Sequence, residues 1–172
     1  LLCPTEHAHE MWDAVMSAGQ AHGLRPCGLK ACFNLRLEKG YIARFDFADG
    51  ATPYEVGLGW TVKLDKGDFV GREALARQAE QGVPRLLVSL AVEDAHIPAT
   101  GEVLLYQEHA VGKVTSGGFS PVFRHPVALG YVPPTLAQTG LSLSIQANDG
   151  QTHPARVTPR PLYDPENKRL RA

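Results

Sequence analysis

RLLVSLAV (85–92), EVLLY (102–106), AVGKVTSGG (110–118), VALGYV (127–132), LSLSI (141–145) and HPARVT (153–158) follow one another in the second half of the chain. Each is a short run rich in aliphatic and β-branched residues, the composition that suits a pleated surface buried on at least one side. Turn signals separate them at Gly101, Gln107–His109, Ser116–Pro126, Pro133-Pro134 and Asn148-Asp149-Gly150. Six short strands at near-even spacing predict a small antiparallel barrel or sandwich over residues 83–160.

Upstream of Gly82 the period changes. Ala8, Met11, Trp12, Val15, Met16 and Ala18 recur at helical spacing between Thr5 and His22, with Thr5 as N-cap and Gly23 as C-cap signal. Leu29, Phe33 and Leu37 at i, i+4 and i+8 predict a second helix, Leu29–Glu38, closed by Gly40. Residues 41–53 read as a loop and Tyr54–Leu64 as strand-like in places. Asp68 is expected to cap a third helix, Phe69–Glu80, and to pair with Arg72 at i, i+4. Trp12 and Trp60 are assigned to the core.

The expected fold class is therefore α+β: an incomplete helix-rich α/β portion (residues 1–82) followed by a small antiparallel β-barrel and tail (residues 83–172). Leu1-Leu2-Cys3-Pro4 lacks an initiator Met and resembles the end of an apolar strand, so the chain is expected to begin inside a larger protein. Its incomplete sheet is expected to expose an apolar face that another chain covers.

The 172 residues are 44% hydrophobic and 20% charged, with 17 basic against 18 acidic residues. That balance gives no bulk attraction for nucleic acid or anionic membranes. No apolar run approaches the roughly 20 residues of a membrane helix, and no signal peptide is apparent, so a cytoplasmic protein is expected. Cys3, Cys27 and Cys32 show no CxxC spacing and no trailing His pair, which predicts free thiols in a reducing compartment. The seven histidines are scattered, and His7 and His9 point to different faces of a helix, so no metal site is expected. Gly57-Leu-Gly59 lacks the third glycine of a dinucleotide fingerprint, and no phosphate loop exists. SGGFSP (116–121) lacks a nucleophile elbow and reads as turn chemistry.

Two stretches carry more than periodicity. The first is LRLEKG (35–40) with TPYEVGLGW (52–60), KLDK (63–66) and DFVGREAL (68–75); the second is GKVTSGGFSP (112–121) with ALGYV (128–132). In this order and with these gaps they resemble the folate-binding aminomethyltransferase family, namely the glycine-cleavage T-protein and the similar C-terminal regions of dimethylglycine and sarcosine dehydrogenases. The closing PLYDPE (161–166) looks closest to the dehydrogenase-type members.

The resemblance implies tetrahydrofolate as cofactor and transfer of a one-carbon unit from a small methylated or aminomethyl donor. A folate-dependent O- or S-demethylase is the alternative within the class, and a non-catalytic folate-binding module the alternative outside it. The catalytic Asp of the family is expected outside these residues, so no catalytic residue is assigned here. Glu38 matches the family's LRLE glutamate, which holds the pterin ring. A carboxylate suits that task because it accepts two parallel hydrogen bonds from a 2-amino and a ring N–H group. The residues alone favour a plainer reading, in which Glu38 pairs with Arg36 or Lys39 at the surface; the resemblance turns the balance toward pterin contact.

Three further folate contacts are implied by the resemblance. Tyr54 would stack on the pterin or p-aminobenzoyl ring, Lys66 would meet the glutamyl tail, and Tyr163 lies in a segment that returns toward the ligand in relatives. Each has a plain alternative: a half-buried aromatic, a solvated loop charge and a tail anchor. The chain departs from the family in reading Cys32-Phe33-Asn34 where an Arg-Asp pair usually precedes LRLE. The loop 41–51 also lacks the usual Trp-Gly or Tyr-Gly step.

Overall fold

Six antiparallel strands close into a barrel: β1 (Leu86–Val92), β2 (Val103–Tyr106), β3 (His109–Ser120), β4 (His125–Val132), β5 (Ser142–Gln146) and β6 (Thr152–Thr158). The computed structural model describes residues 1–169 and 171, with residues 48 and 49 described by their backbone alone. Around the barrel the order is β1-β4-β3-β2-β5-β6, β1 pairing with both β4 and β6, so no edge is left unpaired. All six predicted strands are present. The helices precede them: α1 (Ala8–Gly19), flanked by 3-10 turns at Thr5–His7 and Gln20–His22, then α2 (Leu29–Glu38) and α3 (Arg72–Gln81). No helix among the described residues is long and apolar enough to cross a membrane.

The architecture is α+β, but the helical part holds no strand of its own: among the described residues none precedes Leu86, and Leu1–Pro4 is not extended into a ladder. A strand needs a hydrogen-bonded partner, and this stretch has none. Tyr54–Leu64 is likewise not a strand but a run of turns with a 3-10 segment at Gly59–Thr61, because Gly57, at φ 74°, and Gly59 interrupt any ladder. Residues 44–50, read as loop, wind into a 3-10 helix. α3 starts three residues later than expected, after Gly71 at φ 89°, and Arg72 Nε donates to the Leu64 carbonyl at 2.9 Å instead of pairing with Asp68.

By its contacts the chain divides into two units, Leu1–Cys32 and Phe33–Ala172. The first consists of α1, its flanking turns and the first turn of α2. It offers no strand for the apolar stripe of α1 to pack on, and Trp12 is 57% exposed, contrary to its assignment to the core. Trp60 sits on the 3-10 turn and is 74% exposed, so it too is a surface residue.

The second unit has two apolar clusters. Val88, Leu90, Leu104, Val114, Ile145 and Val157 fill the barrel interior. On the outside of β1 and β4, Leu87, Val127, Leu129 and Tyr131 pack with Leu37 at the end of α2, Val56 and Leu162. Both strands are thus covered on two faces, which is why RLLVSLAV and VALGYV are nearly continuous apolar runs and do not alternate with polar residues. The backbone joins this outer layer directly, as Leu87 N–H donates to the Glu55 carbonyl at 2.8 Å.

At one rim of the barrel the His96 and His153 rings stack, 3.9 Å apart and 9° from parallel. His96 Nε2 lies 2.8 Å from Glu102 and His153 Nδ1 2.8 Å from Asp94. The backbone N–H of His96, then the His153 ring, hold the Asp94 carboxyl below the usual carboxylate range.

Two outcomes follow from this packing. Replacing Leu90, fully enclosed in the barrel, with Ala should lower stability by about 2–5 kcal/mol, whereas Trp60→Ala should stay within about 0.5 kcal/mol; denaturant midpoints of the two variants check both. A depressed Asp94 pKa means its stabilisation is full above the unfolded value, about 3.9, and disappears as pH falls through the folded one. The melting temperatures of wild type and Asp94→Asn should therefore converge as the pH is lowered through and below the usual carboxylate range.

Candidate functional site

The last turn of α2 lies against β3, and glycines make the approach possible. A Cβ on Gly118 would run into Asn34 and Leu37 of the helix, and one on Gly117 into the Pro98 carbonyl. Ser116–Ser120 is therefore strand, not the turn expected from SGGFSP; its glycines admit a neighbour and do not reverse the chain. Ser116 and Ser120, four residues apart on β3, share a face and meet Arg36 and Glu38, two apart on α2.

Arg36 and Asp46 form the centre of this junction. Arg36 Nη1 donates to Asp46 Oδ2 at 2.7 Å and Nη2 to Ser116 Oγ at 2.7 Å. Asp46 has no exposed surface, and its other oxygen accepts from Thr115 Oγ1 at 2.5 Å and Ser116 Oγ at 2.8 Å. Ala43 N–H caps Oδ2 at 2.8 Å, and the Tyr131 hydroxyl donates to the Asp46 carbonyl at 2.5 Å. Burial raises the Tyr131 phenol above its ordinary pKa. A cavity of about 260 Å³ opens beside the pair, bordered by Phe33, Arg36, Phe45 and Ser116.

Glu38 is 2% exposed. Its Oε1 accepts from Ser120 Oγ at 2.5 Å and from Val122 N–H at 3.3 Å. Among the described residues Oε2 has no hydrogen-bond partner, and no cation pairs with the carboxylate. Neither sequence neighbour takes it: Arg36 goes to Asp46, and Lys39 Nζ donates to the Asp164 carbonyl at 2.5 Å, to its carboxylate at 3.2 Å and to the Tyr163 carbonyl at 3.3 Å. Desolvation alone would raise the Asp164 pKa. The Lys39 ammonium and the Lys168 N–H, which donates at 2.8 Å, reverse that and hold it low.

The other expected site residues are distributed unevenly. Tyr163 N–H donates to the Glu38 carbonyl at 2.9 Å, so the C-terminal segment returns to the end of α2. Tyr54 is half-buried, with its ring over Gly59, where an added Cβ would fall 2.8 Å from Cδ1. Lys66 is exposed, its ammonium 4.6 Å from the centre of the Phe69 ring. No hydrogen bond or ion pair joins Tyr54 or Lys66 to Glu38 among the described residues. Among those residues no group of three or more His, Cys, Asp or Glu is placed to hold a metal.

Asp46 and Tyr131 were not singled out from sequence, and Ser116 and Ser120 were read only as turn residues. The two serines carried a usable signal, because even spacing within an apolar-flanked run marks one face of a strand. Asp46 carried none, since it stands in a polar loop with no motif of its own.

Two family models match the chain: GCVT N-terminal domain over residues 1–66 and Glycine cleavage T-protein C-terminal barrel domain over residues 85–164. The chain belongs to the glycine-cleavage T-protein family. It is 42% identical over 170 residues to an aminomethyltransferase of Nostoc sp. and 40% identical over 164 residues to one of Prochlorococcus marinus, covering 98% and 94% of this chain. The crystal structure of glycine cleavage system aminomethyltransferase T from Bartonella henselae superposes with a TM-score of 0.84 at 29% identity, over 94% of this chain and 45% of that one. The chain spans about 44% of the length of the Nostoc relative.

Within this T-protein family member, Asp46→Ala should destabilise the second unit by about 3–5 kcal/mol, because Arg36 is left in a largely enclosed site without its counter-charge. Ser116→Ala, which removes a hydroxyl bonded to both charges, should cost less, about 1.5–3 kcal/mol. Urea unfolding followed by far-ultraviolet circular dichroism reads both values, and a larger loss for Ser116→Ala would contradict the assignment of Asp46 as the centre.

Proposed function

We propose that the protein carrying this chain transfers a one-carbon unit from an amine donor to tetrahydrofolate, and that this chain supplies Glu38 as the pterin-holding carboxylate. The observation that carries the reading is the state of Glu38: withdrawn from bulk water, fixed through Oε1, with Oε2 unengaged and both neighbouring cations committed elsewhere. Among the described residues Oε2 is left without a protein partner on a residue otherwise withdrawn from water, and a ligand bearing amino and ring N–H donors would satisfy it. The naming of the relatives as aminomethyltransferases supports the reaction class.

The reduced folate would supply the nitrogen that accepts the one-carbon unit. This chain's part is binding and orientation. Ser120 and the Val122 N–H set the rotation of the Glu38 carboxylate, and the Tyr163 N–H steadies the backbone beneath it. Tyr54 is proposed to offer a ring face and Lys66 a charge for the distal end of the ligand. The donor and its binding residues are proposed to lie with the catalytic Asp, outside residues 1–172.

Calorimetric titration of the full-length protein with tetrahydrofolate tests the assignment. Glu38→Ala should weaken binding by about 2–5 kcal/mol, roughly 30-fold to several-thousand-fold. Glu38→Gln should be nearly as harmful, since its carbonyl can keep the Ser120 and Val122 contacts only by turning its amide N–H₂ against the ligand's own donors. Unchanged dissociation constants in both variants would remove Glu38 from the folate site. The isolated chain should bind weakly or not at all.

A further inference from the structure

The first turn of α2 brings two thiols together. Gly28 caps the helix: its carbonyl accepts from Ala31 N–H at 3.0 Å and from Cys32 N–H at 3.4 Å. Cys27 then stands just before the cap and Cys32 at the fourth helical position. These are the two positions at which side chains close over a helix start, the arrangement that usually holds an apolar staple. Here both staple residues are cysteines, both are exposed, and both belong to the Leu1–Cys32 unit.

Hydrogen bonding to Cys27, followed by the charge of Cys27, raises the Cys32 thiol above its ordinary value, in keeping with their placement across the cap. A buried structural cysteine is shielded from oxidants, whereas an exposed one beside a second thiol can be attacked and then resolved. Cys3 is exposed as well but sits before the Thr5–His7 turn, outside the staple.

We infer that Cys27 and Cys32 form a redox modification site, closing to an intramolecular disulfide across the α2 cap when a small disulfide such as oxidised glutathione is present. One thiolate attacks the glutathione disulfide, forming a mixed disulfide and expelling one glutathione thiolate. The second cysteine, as thiolate, then attacks the protein sulfur of that mixed disulfide and expels the second glutathione. The cysteines together lose two electrons and two protons, and one oxidised glutathione becomes two reduced ones. Reduced glutathione in excess reverses both steps. In a reducing compartment the pair therefore rests as two free thiols and closes only under oxidising load.

The test uses the full-length protein with Cys3→Ser and any cysteine outside residues 1–172 likewise replaced, so that only the pair remains. After incubation with oxidised glutathione, countable thiols should fall from two to none, with the mass lower by two hydrogens and no glutathione retained. In Cys27→Ser or Cys32→Ser on the same background, the remaining thiol should keep one glutathione adduct. Equilibration against glutathione redox buffers gives the effective concentration of one thiol at the other. It should be about 10-fold or more higher in the folded chain than in denaturant, because a flexible four-residue spacer supplies only millimolar values. Retained glutathione on the double-thiol protein, or equal effective concentrations folded and unfolded, would overturn the inference.

Discussion

A single carboxylate with no access to water, Asp46, organises the second unit. It receives a guanidinium, two hydroxyls and a backbone N–H through its side chain, and a phenol through its carbonyl. The donors come from α2, β3, β4 and the loop before the 3-10 helix, so four parts of the chain must arrive together before any is satisfied. Burying an ion pair is seldom a net gain over an apolar contact, but breaking one after burial is severe. The pair therefore contributes more to the choice of one arrangement than to raw stability.

The barrel provides the surface on which that choice is made. Its interior is packed with aliphatic side chains, and its outer wall at β1 and β4 is nearly as apolar, so the end of α2, the turn around Val56 and Leu162 have a defined place to lie. Polar groups at this outer layer must then find partners inside it. Arg160 illustrates the consequence: burial lowers its pKa, opposed by Asp46, while Nη2 bonds the Val56 carbonyl across Gly57. The C-terminal segment is held by Arg160, by Lys39 and by the Tyr163 N–H, all within reach of the last turn of α2.

Glu38 gains its character from this surrounding order. An exposed glutamate at a helix end flanked by Arg and Lys would pair with one of them. Here Asp46 takes the arginine and Asp164 the lysine, leaving the carboxylate with neutral donors on one oxygen and none on the other. The competing cations are assigned to other anions, which leaves Glu38 without one, and the local sequence LRLEK does not reveal that.

Periodicity determined much of this protein. The helical stretch 5–22, the limits of α2 and all six strands could be read from spacing and turn residues, because helices and strands are fixed by local backbone geometry and by which side chains avoid water. Motif order determined the family. Where burial depended on distant partners, spacing failed: Trp12 and Trp60 are apolar but exposed, and Tyr54–Leu64 has strand composition with no ladder to join. Asp46 and Ser116 looked like loop and turn residues, yet they meet across 70 residues of sequence. Only the tertiary structure could decide that, since a carboxylate and a serine hydroxyl acquire their partners from whatever folding brings within 3 Å, and local sequence holds no record of it.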